Sequence, residues 1–397
     1  MRGGKSVALI GRSLGVPGVS RRLCAMSVSA VAFLCCQPEA LGDETSSRDL
    51  SCPMGQAFLE PRPIELQAQK IPLMRGDPSR DQLGALRFLG GFSLTSPDPR
   101  FGGLSGLETL EDGQLLAVTD EGNFVWIDLD PASLAPKAAR LAPLRDERGE
   151  ALVAKSEADA EGLARAGALV FVSFERRHRV LAFDIERCGA AARGVSVLGP
   201  DAEERVREAF VRDAIPAEPN SGLEALAVTD QGDLLLGVET RREGKSPLSA
   251  RPLSFPPSFE LDLAPGAPEL VGLDVLTDDA EAGTARLFSL HRGRGRILGD
   301  IIVLEESRLE PLPEKGGPAG GTGFRVGDRR RLAGMDLRTS IDNFEGLAVE
   351  RRPDGAVRIY IVSDDNFSPS QRTLLMVFEL RADTKPETAG SASRPGG

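Results

Sequence analysis

Histidine is nearly missing from this chain: His178 and His291 are the only two in 397 residues. A His-rich metal centre is therefore excluded. Cysteine is scarce too. Of five, Cys24, Cys35 and Cys36 lie in the first 42 residues, leaving Cys52 and Cys188. Two cysteines cannot make a zinc site of the usual kind; they are either one disulfide or two thiols, and both readings stand. Aromatic residues are few at 5%, with one Trp and one Tyr, so a core must be built from Leu, Val, Ala and Phe. Basic residues are in deficit. The net charge of −11 argues against nucleic acid as a partner, because phosphate neutralisation needs clustered Lys and Arg in excess. A small anionic substrate stays admissible, since local charge can oppose the global sign. Long apolar runs are also lacking. The run Leu23–Cys36 is too short to span a bilayer comfortably, and no membrane span is expected in the mature chain.

What is present begins with a leader. Lys5, Arg12, Arg21 and Arg22 precede the apolar run, and Ala40-Leu41-Gly42 offers small residues for cleavage. Residues 1–42 thus read as an export signal, which places the mature protein in the periplasm or outside the cell. A retained lipoprotein anchor at Cys35 or Cys36 is the alternative. Residues 43–82 are Pro-rich and polar and read as an exposed N-terminal arm; 382–397 read as a disordered tail.

Between them, over 83–381, short apolar runs alternate with Gly, Asp and Pro punctuation. Examples are Leu115–Thr119, Leu169–Val172, Leu234–Leu236, Ile359–Val362 and Leu374–Phe378. These are strand lengths, and helical periodicity is confined to about 201–213. One phrase repeats: Asp159-Ala160-Glu161-Gly162-Leu163, Gly222-Leu223-Glu224-Ala225-Leu226 and Asn343-Phe344-Glu345-Gly346-Leu347, with a weaker copy at Gly106-Leu107-Glu108. Its spacing leaves room for one more copy between Glu224 and Glu345, placed around Ala285–Glu305. Repeats of this length built from short strands predict an all-β fold, a β-propeller of five or six blades with six favoured. The strand around Leu86–Leu94 would pair with the C-terminal strands and close the ring.

In a propeller the start of a blade's first strand and the end of its second lie on one face. Here the starts carry Glu108, Glu161, Glu224 and Glu345. The ends carry Asp120, Glu175, Glu239 and Asp364-Asp365-Asn366, with Glu305 as a further candidate. Such a ring of carboxylates needs raised pKa values or a cation. Oxygen-only ligation favours Ca²⁺, with Mg²⁺ second. The expected metal ligands are Glu108, Asp120, Glu161, Glu224, Asn343, Glu345, Asp364 and Asn366. Glu345, Asp364 and Asp365 are the candidate catalytic carboxylates. Arg176, Arg292 and Arg372 follow strand ends and could grip phosphate or carboxylate, or else pair with the acids. The one Gly-X-Ser-X-Gly match, Gly11–Gly15, lies in the leader and reads as chance, and a phosphate-cradling P-loop is absent.

Phe101-Gly102-Gly103-Leu104, Asp120-Glu121-Gly122, Asp342-Asn343-Phe344-Glu345-Gly346-Leu347, Ser363-Asp364-Asp365-Asn366-Phe367 and Gln371-Arg372-Thr373 resemble the "esterase-like activity of phytase" family of exported bacterial proteins, over about 83–381. The resemblance implies a propeller-like domain and hydrolysis of phosphate or other esters. The expected function is an exported, divalent-cation-dependent ester hydrolase, such as a phosphomonoesterase, acting as a monomer. The alternatives are a non-catalytic propeller that binds a ligand or protein, and a Ca²⁺-dependent lactonase-like enzyme.

Overall fold

In the computed structural model the described residues are 44–198, 222–239, 245–250, 259–262, 269–279, 283–295, 299–312 and 324–381. The leader, the tail and the helical stretch expected at 201–213 lie outside them.

Short β-branched and aliphatic runs between Gly and Asp turns give strands in chain order. First come α1 (Glu44–Ser51), β1 (Arg62–Ile64), β2 (Gln67–Lys70), β3 (Gln82–Leu83) and β4 (Leu86–Thr95). Blade 1 is β5 (Leu104–Thr109), β6 (Leu115–Thr119), β7 (Asn123–Leu129) and β8 (Pro136–Pro143). After α2 (Lys155–Ala158), blade 2 is β9 (Ala160–Ala166), β10 (Leu169–Phe174), β11 (Arg179–Phe183) and, beyond α3 (Ile185–Cys188), β12 (Val195–Ser196). Blade 3 is β13 (Leu223–Val228), β14 (Leu234–Val238), β15 (Lys245–Ala250) and β16 (Phe259–Asp262). Blade 4 is β17 (Glu269–Asp279), β18 (Thr284–Gly295), β19 (Gly299–Pro311) and β20 (Phe324–Met335). Blade 5 is β21 (Asn343–Arg351), β22 (Val357–Asp364) and β23 (Thr373–Leu380), completed by β4.

Each blade is an antiparallel meander, and β5, β9, β13, β17 and β21 are the innermost strands, each touching the next around a closed circle. The ring closes as the sequence predicts: β4, from the N-terminal side, pairs with β23, Leu375 opposite Phe92 and Thr373 opposite Leu94. The blade number is five among the described residues. The interval from Glu224 to Glu345, read as two repeats, holds the rest of blade 3 and one blade with long strands of 11, 12, 13 and 12 residues.

Five hydrophobic cores fill the five spaces between neighbouring blades. An inner strand is covered on both sides, so its apolar residues run on without alternation, as in Leu223–Val228, buried throughout. The scarce aromatics are spent here. Phe124 of blade 1 meets Phe183 of blade 2 edge-on at 5.2 Å and Trp126 at 5.6 Å. Fully burying one such side chain contributes about 1.5–3 kcal/mol.

The segment 43–82, expected as an exposed arm, is attached at several points. β1 extends blade 1 beside β8 and β2 extends blade 5 beside β4. Cys52 and Cys188 form a disulfide, and Arg48 pairs with the buried Asp184 at 2.8 Å, so α1 is fixed to blade 2. Among the described residues no helix is long and apolar enough to cross a membrane.

Candidate functional site

The repeated phrase has a backbone cause. Every inner strand carries a β-bulge near its start, between Leu104 and Gly106, opposite Ser173, between Leu223 and Ala225, between Leu270 and Gly272, and between Phe344 and Gly346. The extra residue is Ser105, Glu161, Glu224, Val271 and Glu345 in turn. A bulge re-aims its side chain out of the regular alternation, and here it collects three Glu at one end of the channel. The residue after the bulge is Gly in four blades, because adjacent inner strands approach too closely for a side chain. A Cβ on Gly106 would lie 2.7 Å from the Glu161 carbonyl, one on Gly162 2.6 Å from Leu226 Cβ, and one on Gly272 2.6 Å from the Glu345 carbonyl. In blade 2 the Ser173 hydroxyl accepts the Gly162 N–H at 2.9 Å and donates to the Leu223 carbonyl at 3.1 Å. It thereby satisfies the amide freed by the bulge and ties blade 2 to blade 3.

This register corrects the sequence reading at three points. Glu108 is not an equivalent of Glu161. It lies three residues past Ser105, about 10 Å further along the strand at 3.3 Å per residue, where it faces Asp274 and the Arg165 guanidinium instead of the mouth. Burial raises Glu108 to about 7 there. The missing copy is Val271-Gly272-Leu273, not a segment near Ala285–Glu305. And the strand end of blade 4 is Arg292, next to His291, which pairs with Leu270 just before the bulge. Glu305 lies on the third strand, opposite Ser289.

The mouth is thus a ring in which each blade offers a bulge residue and a strand-end residue: Ser105 and Asp120, Glu161 and Glu175, Glu224 and Glu239, Val271 and Arg292, Glu345 and Asp364. Blade 4 breaks the acidic pattern, and it does so with a cation. The Arg292 guanidinium donates to Glu345, to Asn343 and, at 3.0 Å, to Glu239, so one residue binds blades 3, 4 and 5 together. Burial opposes its charge, but Glu345 and Glu239 outweigh that and keep it firmly protonated. Asn343 donates to Glu345 at 2.8 Å.

The opposite side, blades 1 and 2, is arranged differently. Asp159, Glu161 and Glu175 are buried and present oxygens that all lie within 4.8 Å of one another. Lys155 from α2 donates to Asp120 at 2.6 Å and to Asp159 at 2.7 Å, and Arg176 donates to the other Asp159 oxygen at 2.6 Å. The second oxygen of Asp120 is buried without a hydrogen bond. Burial opposes charge on the Lys155 ammonium, but the two aspartates outweigh it and raise its pKa.

Charge crowding is plain in the carboxyls. Burial, then repulsion from Glu345, Glu175 and Asp159, holds Glu161 well above the carboxylate range. Glu224 is raised likewise, by burial and by Glu161 and Glu175. Glu175 rises to about 7 through burial and Asp159, and Asp364 to about 8 through burial and Glu345. Glu345 rises less freely, since Arg292 opposes its burial. These acids can hold protons near neutrality or surrender them to a cation.

Of the metal ligands expected from sequence, Glu161 belongs to the close trio. Glu224, Glu345, Asn343, Asp120 and Asp364 share the mouth with it. Asn366 is in an exposed turn and contributes its backbone N–H to Asp364 at 2.5 Å. Asp365 uses both oxygens on the scaffold, accepting from Gly103 and Phe367 N–H groups at 2.9 and 3.1 Å and from Thr373 Oγ1 at 3.0 Å, which joins blade 5 to blade 1. The arginines expected to grip an anion are all held by acids: Arg176 by Asp159, Arg292 by Glu345 and Glu239, Arg372 by Asp342 at 3.2 Å. Asp159 and Lys155 carry no role in the sequence reading, whereas Glu239, expected at a strand end, is found there as the partner of Arg292. The signal for Asp159 was available, since it stands two residues before Glu161 as Asn343 stands before Glu345.

Residues 99–367 match the model of the phytase-like family, described as esterase-like activity of phytase. None of the curated proteins matches the chain. Similar solved structures include the PQQ-bound form of an aldose sugar dehydrogenase from Streptomyces coelicolor (13% identity, 80% of this chain and 99% of that chain, TM-score 0.37). Others are the PQQ domain of pyranose dehydrogenase from Coprinopsis cinerea (10% identity, 82% and 99%, TM-score 0.36) and glutaminyl cyclase from Myxococcus xanthus (12% identity, 82% and 100%, TM-score 0.36).

Proposed function

We propose, from the premise that the chain belongs to the phytase-like family, that it hydrolyses ester bonds at the acidic mouth with a divalent cation held by Asp159, Glu161 and Glu175. The observation that carries this reading is the spacing of that trio. Two oxygens bound to one Ca²⁺ at 2.3–2.6 Å stand at most about 5 Å apart, and the three here fall within 4.8 Å of one another. The donors are all oxygen, and among the described residues Glu161 has acids, not cations, as its charged neighbours. Flexible carboxylate ligation of this kind suits Ca²⁺ better than Mg²⁺, which demands a near-ideal octahedron.

A cation bound there supplies positive charge to polarise the ester oxygen. Asp364, titrating near neutrality at about 8, gives or takes the proton. Arg292 keeps Glu345 and Glu239 in place and lowers the proton affinity of Glu345, leaving it available as an acceptor. Lys155 and Arg176 hold Asp159 until the cation shares it. The Cys52–Cys188 disulfide supports the export reading, because such bonds persist in oxidising compartments.

The test is hydrolysis of an aryl acetate and an aryl phosphate with Ca²⁺ and with chelator. The reading expects turnover of at least one ester, lost on chelation and reduced about 10²-fold or more in a Glu345→Gln, Asp364→Asn double variant. Turnover indifferent to both would contradict it. A second reading, a non-catalytic binding propeller, is favoured by one observation: Lys155, Arg176 and Arg292 already pair with the mouth acids. Stable capture of a partner with no turnover of either ester would decide for it.

A further inference from the structure

The charge at the mouth and one side chain on its rim restrict the kind of ester. Among the described residues nine carboxylates interact there, the strand-end and bulge acids together with Asp159 and Asp365, against three cations. Each cation is engaged with an acid. The neighbouring guanidiniums are engaged as well: Arg177 and Arg179 with Glu157, and Arg372 with Asp342. Bidentate capture of a phosphate needs a guanidinium fork turned toward the ligand, and each of these forks is turned toward a carboxylate. Burial and crowding keep protons on Glu224 and Asp364, and a divalent cation displaces those of its own ligands Glu161 and Glu175; seven of the nine carboxylates then face five positive charges, so the negative balance is lessened without being reversed. Low-dielectric walls focus what remains, and an incoming anion meets that field before it meets the cation.

The rim offers an apolar surface instead. Phe367 is 38% exposed and packs over Gly102 and Gly103; a Cβ on Gly103 would lie 2.7 Å from its ring and 2.1 Å from Asp120 Oδ1. The ring therefore stands directly beside a mouth carboxylate. Its backbone has φ 46°, preceded by Asn366 at φ 48°. Two successive non-glycine residues in the left-handed region, one of them aromatic, cost energy; the hydrogen bonds of their amides to Asp364 and Asp365, and of Ser368 N–H to the Asp365 carbonyl at 2.8 Å, hold the turn. The turn spends that strain on presenting a phenyl ring to solvent at the mouth.

We infer that the mouth selects esters whose acid and alcohol parts carry no negative charge, with Phe367 contacting an apolar substituent, and that it turns away phosphate monoesters. This rests on the hydrolase reading above. With the Ca²⁺-loaded full chain, kcat/KM for an aryl acetate should exceed that for the matching aryl hemisuccinate by about 10²-fold at low salt, and the gap should narrow as salt screens it. Phe367→Ala should lower kcat/KM about 10-fold for an aryl butyrate and little for the acetate, a split that a merely structural role would not give. Equal or better turnover of the hemisuccinate or of phenyl phosphate overturns the inference. Calorimetric titration of phenyl phosphate into the same protein is the arm that does not depend on turnover. No binding agrees with the inference, binding overturns it, and total inactivity toward esters counts only against the hydrolase reading. Glu239→Gln, which takes a carboxylate from Arg292, should gain measurable phenyl phosphate binding; failure of that variant to bind more than wild type also counts against the inference.

Discussion

Glu161 and Gly162 are neighbours under opposite demands. Gly162 is fixed by space: a Cβ there would press on Leu226 Cβ and Ser173 Oγ, both at 2.6 Å, and on Leu226 N at 2.9 Å. Gly162→Ala should cost about 1–3 kcal/mol, the usual range for overpacking, seen as a lower denaturant midpoint. At Gly113 nothing lies within 4 Å, so Gly113→Ala meets only the strain of φ 79° and should cost less. Glu161, by contrast, is opposed by its surroundings and is held here as a proposed cation ligand. Glu161→Gln should raise the melting temperature of the cation-free protein and abolish any stabilisation by Ca²⁺, because it removes a carboxylate that burial and four neighbouring acids disfavour. Lys155→Met should tighten Ca²⁺ affinity, since the ammonium competes for Asp159; an unchanged or weaker affinity by calorimetry would contradict that. Residues of this kind were legible wherever the phrase was intact, at Glu161, Glu224 and Glu345. Glu108 misled because an acid follows Gly106-Leu107 where the others have Ala, and a three-residue offset along a strand is invisible without the bulge.

The elements follow from local pattern, with one blade hidden. Short apolar runs between Gly and Asp turns mark most strands, and the pairing of Leu86–Leu94 with the C-terminal strands could be read because two unpartnered runs remained at the ends. Blade 4 escaped for a chemical reason. Its bulge residue is Val271 and its strand end Arg292, so it has neither acid by which the repeat was recognised. Its long strands then filled an interval that suggested two blades. The disulfide is another element-scale feature that composition left open. It closes a loop of sequence separation 136 and fastens α1 to blade 2. A Cys52→Ser, Cys188→Ser variant should lose about 2–4 kcal/mol, measured by chemical denaturation, with the β signal of the folded state retained.

For the whole ring, five blades around one axis concentrate acids that no single blade would. The raised carboxyls make stability depend on pH. Asp364 at about 8, Glu175 at about 7, and Glu161 and Glu224 well above the carboxylate range all bind protons more tightly folded than unfolded. From about pH 4 upward the folded chain therefore carries the excess protons, and stability falls as pH rises until these groups have titrated. The cation-free melting temperature should be higher near pH 5 than near pH 8, and added Ca²⁺ should recover more at the higher pH, where it does not compete with protons. A melting temperature that rises with pH without cation would refute the crowding argument.

A cation held at one place, by Asp159, Glu161 and Glu175, is the central proposal. Calorimetric titration of Ca²⁺ into chelator-treated wild type, Glu161→Gln and Glu108→Gln tests it most directly. The prediction is binding by wild type and by Glu108→Gln, whose carboxyl lies deeper in the channel, and none by Glu161→Gln. Equal binding by all three, or no binding by wild type, would contradict it.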